Sequence, residues 1–167
     1  MSRLTKDEYF LAMLELVSAR STCPRRLVGA IITDDEGRIL ATGYNGVPSG
    51  FDHCVDVPCA GAQDQSGNTS RCEAVHAEAN AVLQCWRLDL ARTIYVSVSP
   101  CFECAKLIAN TPIRKAVLAS RYVDRRGEDL LRRARLQLLV RGEDVGPEDD
   151  PRSATHDGLM IIARGSR

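Results

Sequence analysis

The sequence predicts an α/β domain of three layers, a mixed five-stranded sheet covered by helices on both faces. Segments of helical apolar period alternate with short β-branched runs, and Gly, Pro, Asp and Asn clusters fall between them. The chain's 167 residues, 44% of them hydrophobic, suffice for one real core. Thr5 with Glu8 forms a capping box, and Phe10, Leu14 and Val17, with Met13 beside them, give a first helix one apolar face ending near Arg20. Leu27 to Thr33 reads as a strand, Asp34-Asp35-Glu36-Gly37 as a turn, and Arg38 to Tyr44 as the returning strand of a hairpin. Asn45 to Arg71 is a long loop of the kind that is functional or tied down, for instance by a metal. Helices over Ala74 to Trp86, Cys101 to Ala109 and Asp129 to Ala134 then alternate with strands over Thr93 to Val98, Lys115 to Ala119 and Leu136 to Val140. The division expected is a main domain over 1–141 and a tail over 142–167 that packs on it or on a partner subunit. The tail opens on the acidic, breaker-rich stretch from Gly142 to Pro151, with a surface His156 and a short apolar run from Leu159 to Ile162 beyond it.

Charge and cysteine usage bound the function. Twenty-two Lys and Arg balance 22 Asp and Glu, and aromatics are 5%, so neither a basic groove nor a stacking platform for nucleic acid is expected. Acids precede the first apolar run and no run reaches spanning length, so a soluble cytoplasmic protein without membrane contact is expected. Seven cysteines at metal-like spacings suit a reducing compartment better than a disulfide framework.

The chemistry is concentrated in His76-Ala77-Glu78 and Pro100-Cys101-Phe102-Glu103-Cys104. His76, Cys101 and Cys104 supply three zinc ligands, and three leave one tetrahedral position for water, whereas a structural site is closed by four. Zinc lowers the pKa of that water from about 15.7 to about 7. Two thiolates balance the dication, and Ser99 as N-cap with Pro100 as first helical residue is expected to set both sulfurs in the first turn of a helix. A fourth anionic ligand would displace the water, so Glu78 is assigned as proton shuttle and catalytic residue. A Cys-x-x-Cys pair alone reads equally as half a structural zinc site or a redox pair. His-x-Glu followed by Pro-Cys-x-x-Cys is the pattern of zinc-dependent base deaminases. A noncatalytic zinc-binding interaction module is the alternative from another class.

Around these motifs stand Arg20-Ser21-Thr22-Cys23-Pro24-Arg25, Val28-Gly29-Ala30, Gly43-Tyr44-Asn45-Gly46, His53-Cys54 and Val75 to Ala81. Together, from about Tyr9 to Tyr122, they resemble the deoxycytidylate (dCMP) deaminases. The resemblance implies a cytidine-deaminase-like fold, hydrolysis of dCMP to dUMP with release of ammonia, and a homo-oligomer, commonly a hexamer. It further implies that Asn45 meets the sugar, that Val28 and Ala30 line the base pocket, that Tyr122 acts near the entrance and that backbone at Gly29 approaches the base. Asn45-Gly46-Val47-Pro48-Ser49-Gly50 resembles a stretch tied to dCTP and dTTP effectors. The same zinc chemistry on a C5-substituted dCMP or another cytosine nucleotide or nucleoside stays open, because an added methyl changes binding by only about 1–3 kcal/mol.

Arg25 and Arg26 are the candidates for phosphate contacts by type and position, with ordinary surface arginines as the other reading. Cys23, Cys54, Cys59 and Cys72 can complete a second, structural zinc site, with His53 able to replace one of them, or can be free half-buried cysteines. Cys85 reads as core. The arginines from Arg125 to Arg135 interleave with Glu128 and Asp129 and are expected on a solvated helix face.

Overall fold

The computed structural model describes residues 3–64 and 70–142, so His156, the run from Leu159 to Ile162 and the packing of the tail lie outside the described residues. Helix α1 (Lys6–Ser18) begins on the predicted capping box: Thr5 Oγ1 accepts the Glu8 amide, and the Glu8 carboxylate accepts the Thr5 amide at 2.7 Å. β1 (Gly29–Thr33) and β2 (Ile39–Tyr44) form the hairpin, with Asp34 accepting the Arg38 amide at 2.7 Å to close the turn. A short helix α2 (Ala60–Gln63), absent from the sequence reading, lies in the long loop. α3 (Ala77–Leu83), β3 (Thr93–Val96), α4 (Phe102–Ala109), β4 (Lys115–Leu118), α5 (Arg126–Arg133) and β5 (Gln137–Val140) complete the domain.

The sheet runs β2-β1-β3-β4-β5. β1 is antiparallel to both β2 and β3, while β3, β4 and β5 are parallel, which requires the helical crossovers α4 and α5 between them. Residue alternation assigns the two faces. Ile31, Tyr95 and Val117 pack on Phe10, Leu11 and Leu14 of α1. Their neighbours Ala30, Ile32, Ile94, Val96, Ala116 and Leu118 face α3, α4 and α5 through Ala77, Ala81, Ala105, Ile108 and Leu131. The architecture is the predicted three-layer mixed sheet.

Packing, not intrinsic helix propensity, holds α3. Its seven residues fall below the roughly 12–15 that an isolated helix needs in water. It is seated on β2 at Gly43, where a Cβ would come within 2.2 Å of Ala77 O and 2.4 Å of Ala81 N, so two backbones meet directly. The helix starts later than the expected Ala74 because Val75 is drawn into a β-bridge with Gly46, with amide-to-carbonyl bonds of 3.2 and 2.8 Å. It ends before Trp86, which is exposed, while Cys85 packs at the margin of the core. Gly29 is likewise a point of close backbone packing. A Cβ there would meet Ser18 N at 2.8 Å and Leu14 O at 3.1 Å, so the glycine lets β1 pack directly on the backbone of α1.

Candidate active site

Two helix starts meet beyond the carboxyl end of β3. His76 is the N-cap residue of α3, in extended conformation, and Cys101 is the N-cap of α4. Cys101 Sγ accepts the Cys104 amide at 3.5 Å, which is the role expected of Ser99. Ser99 is instead drawn to a distant partner: its Oγ accepts the Tyr122 amide at 2.7 Å, and its own amide donates to Ser120 O at 2.9 Å. The polar side chain chose a loop from another βα unit over its local helix.

His76 Nδ1 lies 3.5 Å from Cys101 Sγ and 3.4 Å from Cys104 Sγ. A tetrahedral zinc with bonds of about 2.3 Å to sulfur and about 2.05 Å to nitrogen has sulfur–nitrogen edges of about 3.6 Å, so imidazole and two sulfurs are set at the separation such an ion requires. Among the described residues this is the one group of three or more His, Cys, Asp or Glu whose ligand atoms converge, all within 4.8 Å of one another. The Cys104 thiol hydrogen-bonded to Cys101, with His76 adding to it, draws the Cys101 thiol down to about 3, while Cys104 itself is pushed up. In the metal-free site the pair therefore carries one thiolate and shares one proton. The Cys101 sulfur also raises His76 above the usual imidazole value.

Glu78 is 4% exposed, and burial pushes its carboxyl up to about 7. With His76 and Cys101 it opens onto a cavity of about 360 Å³ also lined by Arg25, Arg26, Val28, Asn45, Val98, Ser99 and Tyr122. Five of the six expected substrate contacts thus share one cavity with the acid and with two of the three expected ligands, His76 and Cys101. Ala30 does not: it is fully buried in the core on β1 and is not among the lining residues. Asn45 bridges the site, accepting the Ala77 amide on Oδ1 at 2.9 Å and donating from Nδ2 to Arg26 O at 3.3 Å. The Arg26 guanidinium lies over the Tyr122 ring, 4.7 Å from its centroid. Arg25 Nη1 donates to Gly61 O at 2.6 Å.

The long-loop cysteines come together more loosely. Cys59 is within hydrogen-bonding reach of both Cys54 and Cys72, and Cys23 is near enough to Cys54 and Cys72 to influence both electrostatically. Amides of Glu73 and Ala62, the latter at 3.3 Å, hold the Cys59 thiol below its ordinary value, whereas burial raises Cys54 and Cys72. No three of these sulfurs converge as the His76 group does.

Arg125, Arg126, Arg132, Arg133 and Arg135 are exposed, as the expected solvated helix face requires, but Glu128 among them is not. Glu128 is fully buried and accepts from Arg121 and Arg125, with Arg132 Nη1 at 3.7 Å. The missed signal was spacing: arginines three before and four after one acid share its side of a helix.

The surrounding chain corroborates this geometry. Residues 4–120 match the family model of the cytidine and deoxycytidylate deaminase zinc-binding region. The deoxycytidylate deaminase of Mycobacterium phage D29 is 44% identical over 124 residues, covering 70% of this chain and 96% of the phage protein. ComE operon protein 2 of Bacillus subtilis is 39% identical over 125 residues, covering 73% of this chain but 63% of that protein. The dCMP deaminase of cyanophage S-TIM5, solved in complex with dCMP and dUMP, superposes with a TM-score of 0.67 at 28% identity, over 84% of this chain and 99% of its own. With three zinc-type donors converging on one another and more than two thirds of its length matched, the chain belongs to the zinc-binding cytidine and deoxycytidylate deaminase family.

Proposed function

We propose that this chain hydrolyses dCMP to dUMP with release of ammonia, with His76, Cys101 and Cys104 holding one zinc ion and Glu78 moving the protons. The observation that carries the reading is the convergence of those three donors, two of which line a cavity that also contains Glu78 and two arginines. The phage relative of nearly equal span and the S-TIM5 enzyme, whose crystals hold dCMP and dUMP, support the substrate. When bound, zinc supplies the Lewis acidity that makes water nucleophilic near neutral pH.

The chain's own residues do the rest. Glu78 accepts one proton as water attacks the pyrimidine C4 and passes it to the ring nitrogen; it then takes the second proton from the new C4 hydroxyl and gives it to the amine, which leaves as ammonia while the C4 carbonyl forms. A carboxyl raised toward neutrality suits a group that must both take and give. Val28 forms an apolar wall for the base, and Asn45 uses its remaining amide capacity on the sugar. Arg25 and Arg26, anchored at Gly61 and on the Tyr122 ring, meet the phosphate. The cavity's size suits one nucleotide.

The catalytic unit is residues 1–141, with 142–167 as a tail; the family match within it and the end of β5 at Val140 support that division. A second, structural zinc at Cys23, Cys54, Cys59 and Cys72 is supported by the contacts of Cys59 with two of the others. Exposed Leu16, Leu83 and Trp86 support assembly into a homo-oligomer, a hexamer by resemblance, and the Asn45 to Gly50 stretch is the candidate for dCTP and dTTP. A cytoplasmic setting fits free cysteines and thiolate zinc ligands. Ammonia release from dCMP, CMP, deoxycytidine, dCTP and a 5-substituted dCMP tests the substrate: preference for dCMP supports the reading, and preference for the substituted nucleotide or the nucleoside replaces it. Metal analysis giving two zinc ions per chain supports the second site, and one removes it.

A further inference from the structure

The segment that carries Tyr122 is tied at both ends to a single buried carboxylate. Glu128 Oε2 accepts from Arg121 Nη1 at 2.5 Å on the near side of Tyr122 and from Arg125 Nη1 at 3.3 Å on the far side, and Arg125 also reaches Oε1 at 3.4 Å. Glu128 has no exposed surface, whereas Arg121 and Arg125 side chains are 21% and 50% exposed. A buried carboxylate keeps its geometry because leaving it unpaired is costly, so the shared anchor is stiff.

That anchor stands in register with the metal turn. Gly127, next to Glu128, packs so closely on the Pro100 carbonyl that a Cβ there would lie 2.0 Å from its oxygen. Tyr122 is in turn pinned through its amide to Ser99 Oγ at 2.7 Å, two residues before Cys101. The Tyr122 ring supports the Arg26 guanidinium on the cavity wall. A continuous path therefore runs from Glu128 through Arg121 to Tyr122 and Arg26, with its base fixed against the ligand turn.

We infer that Glu128 is a positioning residue for substrate recognition, holding Tyr122, and through it Arg26, at the phosphate end of the cavity. The inference rests on the proposed deaminase reading for its kinetic consequence. It does not rest on it for its structural one. Glu128 touches neither the cavity nor the ligands, so its loss acts on nucleotide binding and leaves the chemical step alone.

The test uses the full-length zinc-loaded protein and the variants Glu128→Gln and Arg121→Met; the second leaves Glu128 paired with Arg125 and keeps the fold if the first does not. Both are expected to retain zinc and to raise KM for dCMP about tenfold, the equivalent of one charge-assisted hydrogen bond, with kcat within about twofold. Amide hydrogen exchange, which needs no substrate, is expected to quicken about tenfold at residues 120–124 and to stay unchanged in β4. A uniform fall in kcat with loss of zinc would make Glu128 merely structural and overturn the inference. Unchanged exchange at 120–124 overturns it whatever the kinetics, including the case in which the wild-type chain leaves dCMP untouched.

Discussion

Asn45 Oδ1 accepts the backbone N–H of Ala77 at 2.9 Å, joining the loop that leaves β2 to the first turn of the helix bearing Glu78. The helix start would otherwise bury an unpaired donor, since His76 offers no side-chain cap. One side chain thus both closes α3 and faces the cavity.

Asn45→Ala is expected to cost about 1–3 kcal/mol of stability, the penalty for a buried amide left without its acceptor. It should also lower kcat/KM for dCMP at least about tenfold through the displaced α3 start. Thermal unfolding and steady-state kinetics on the zinc-loaded variant check both. Unchanged stability would show that water replaces the carboxamide.

Glu78 makes the metal-free protein pH-sensitive. Its folded value of about 7 lies above the ordinary 4.5 because burial disfavours the charged form. The folded chain holds that proton more tightly than the unfolded chain, so the associated stability is complete below about pH 4.5 and lost as pH rises through about 7. At 1.36 kcal/mol per unit, Glu78→Gln should make the metal-free protein more stable than wild type by about 3 kcal/mol above pH 7, with no difference at pH 4. Denaturant titrations across pH measure this. Loaded with zinc, the same variant should keep the metal and lose about 10²–10⁴ in turnover.

Zinc uptake should release protons. The contact between the two sulfurs draws Cys101 down and pushes Cys104 up, so the pair retains a proton, and the Cys101 sulfur raises His76 toward the charged form. A dication takes two thiolates and a neutral imidazole, so loading at pH 7 is expected to release at least about one proton per ion, and affinity should weaken as pH falls. Calorimetry in buffers of different ionisation enthalpy counts them. Identical heats in all buffers would contradict the shared proton between the two sulfurs.

Gly43→Ala should be among the most damaging single changes outside the site. Its Cβ would overlap backbone atoms of Ala77 and Ala81 at 2.2 and 2.4 Å, which no rotamer change relieves. The expected loss is about 3 kcal/mol or more, with weakened zinc binding because α3 shifts with its N-cap His76. Equal stability and zinc affinity in the variant would mean that β2 and α3 separate without consequence.

Legibility in the sequence followed the range of the interactions. The capping box of Thr5 and Glu8 and the short β-branched runs that form β1, β3 and β4 are local patterns, and each appears as read. The donor motif likewise survives because His76 and the Cys101–Cys104 pair are short spacings set by two helix starts. What escaped depends on partners far along the chain. Ser99 had the composition of an N-cap but bonds Tyr122, Gly29 faces the end of α1, and Glu128 hides a carboxylate inside a run of arginines that reads as solvated. Helix α2 follows from the N-cap at Cys59, whose thiol accepts the Ala62 amide, a role that residue type alone does not announce.

The most direct measurement follows dCMP incubated with the zinc-loaded protein, with the chelated protein and with the chelated protein resupplied with zinc. The account predicts ammonia and dUMP in equal amounts from the first, almost none from the second, and recovery in the third. Folded protein carrying zinc on His76, Cys101 and Cys104 that leaves dCMP intact would contradict it.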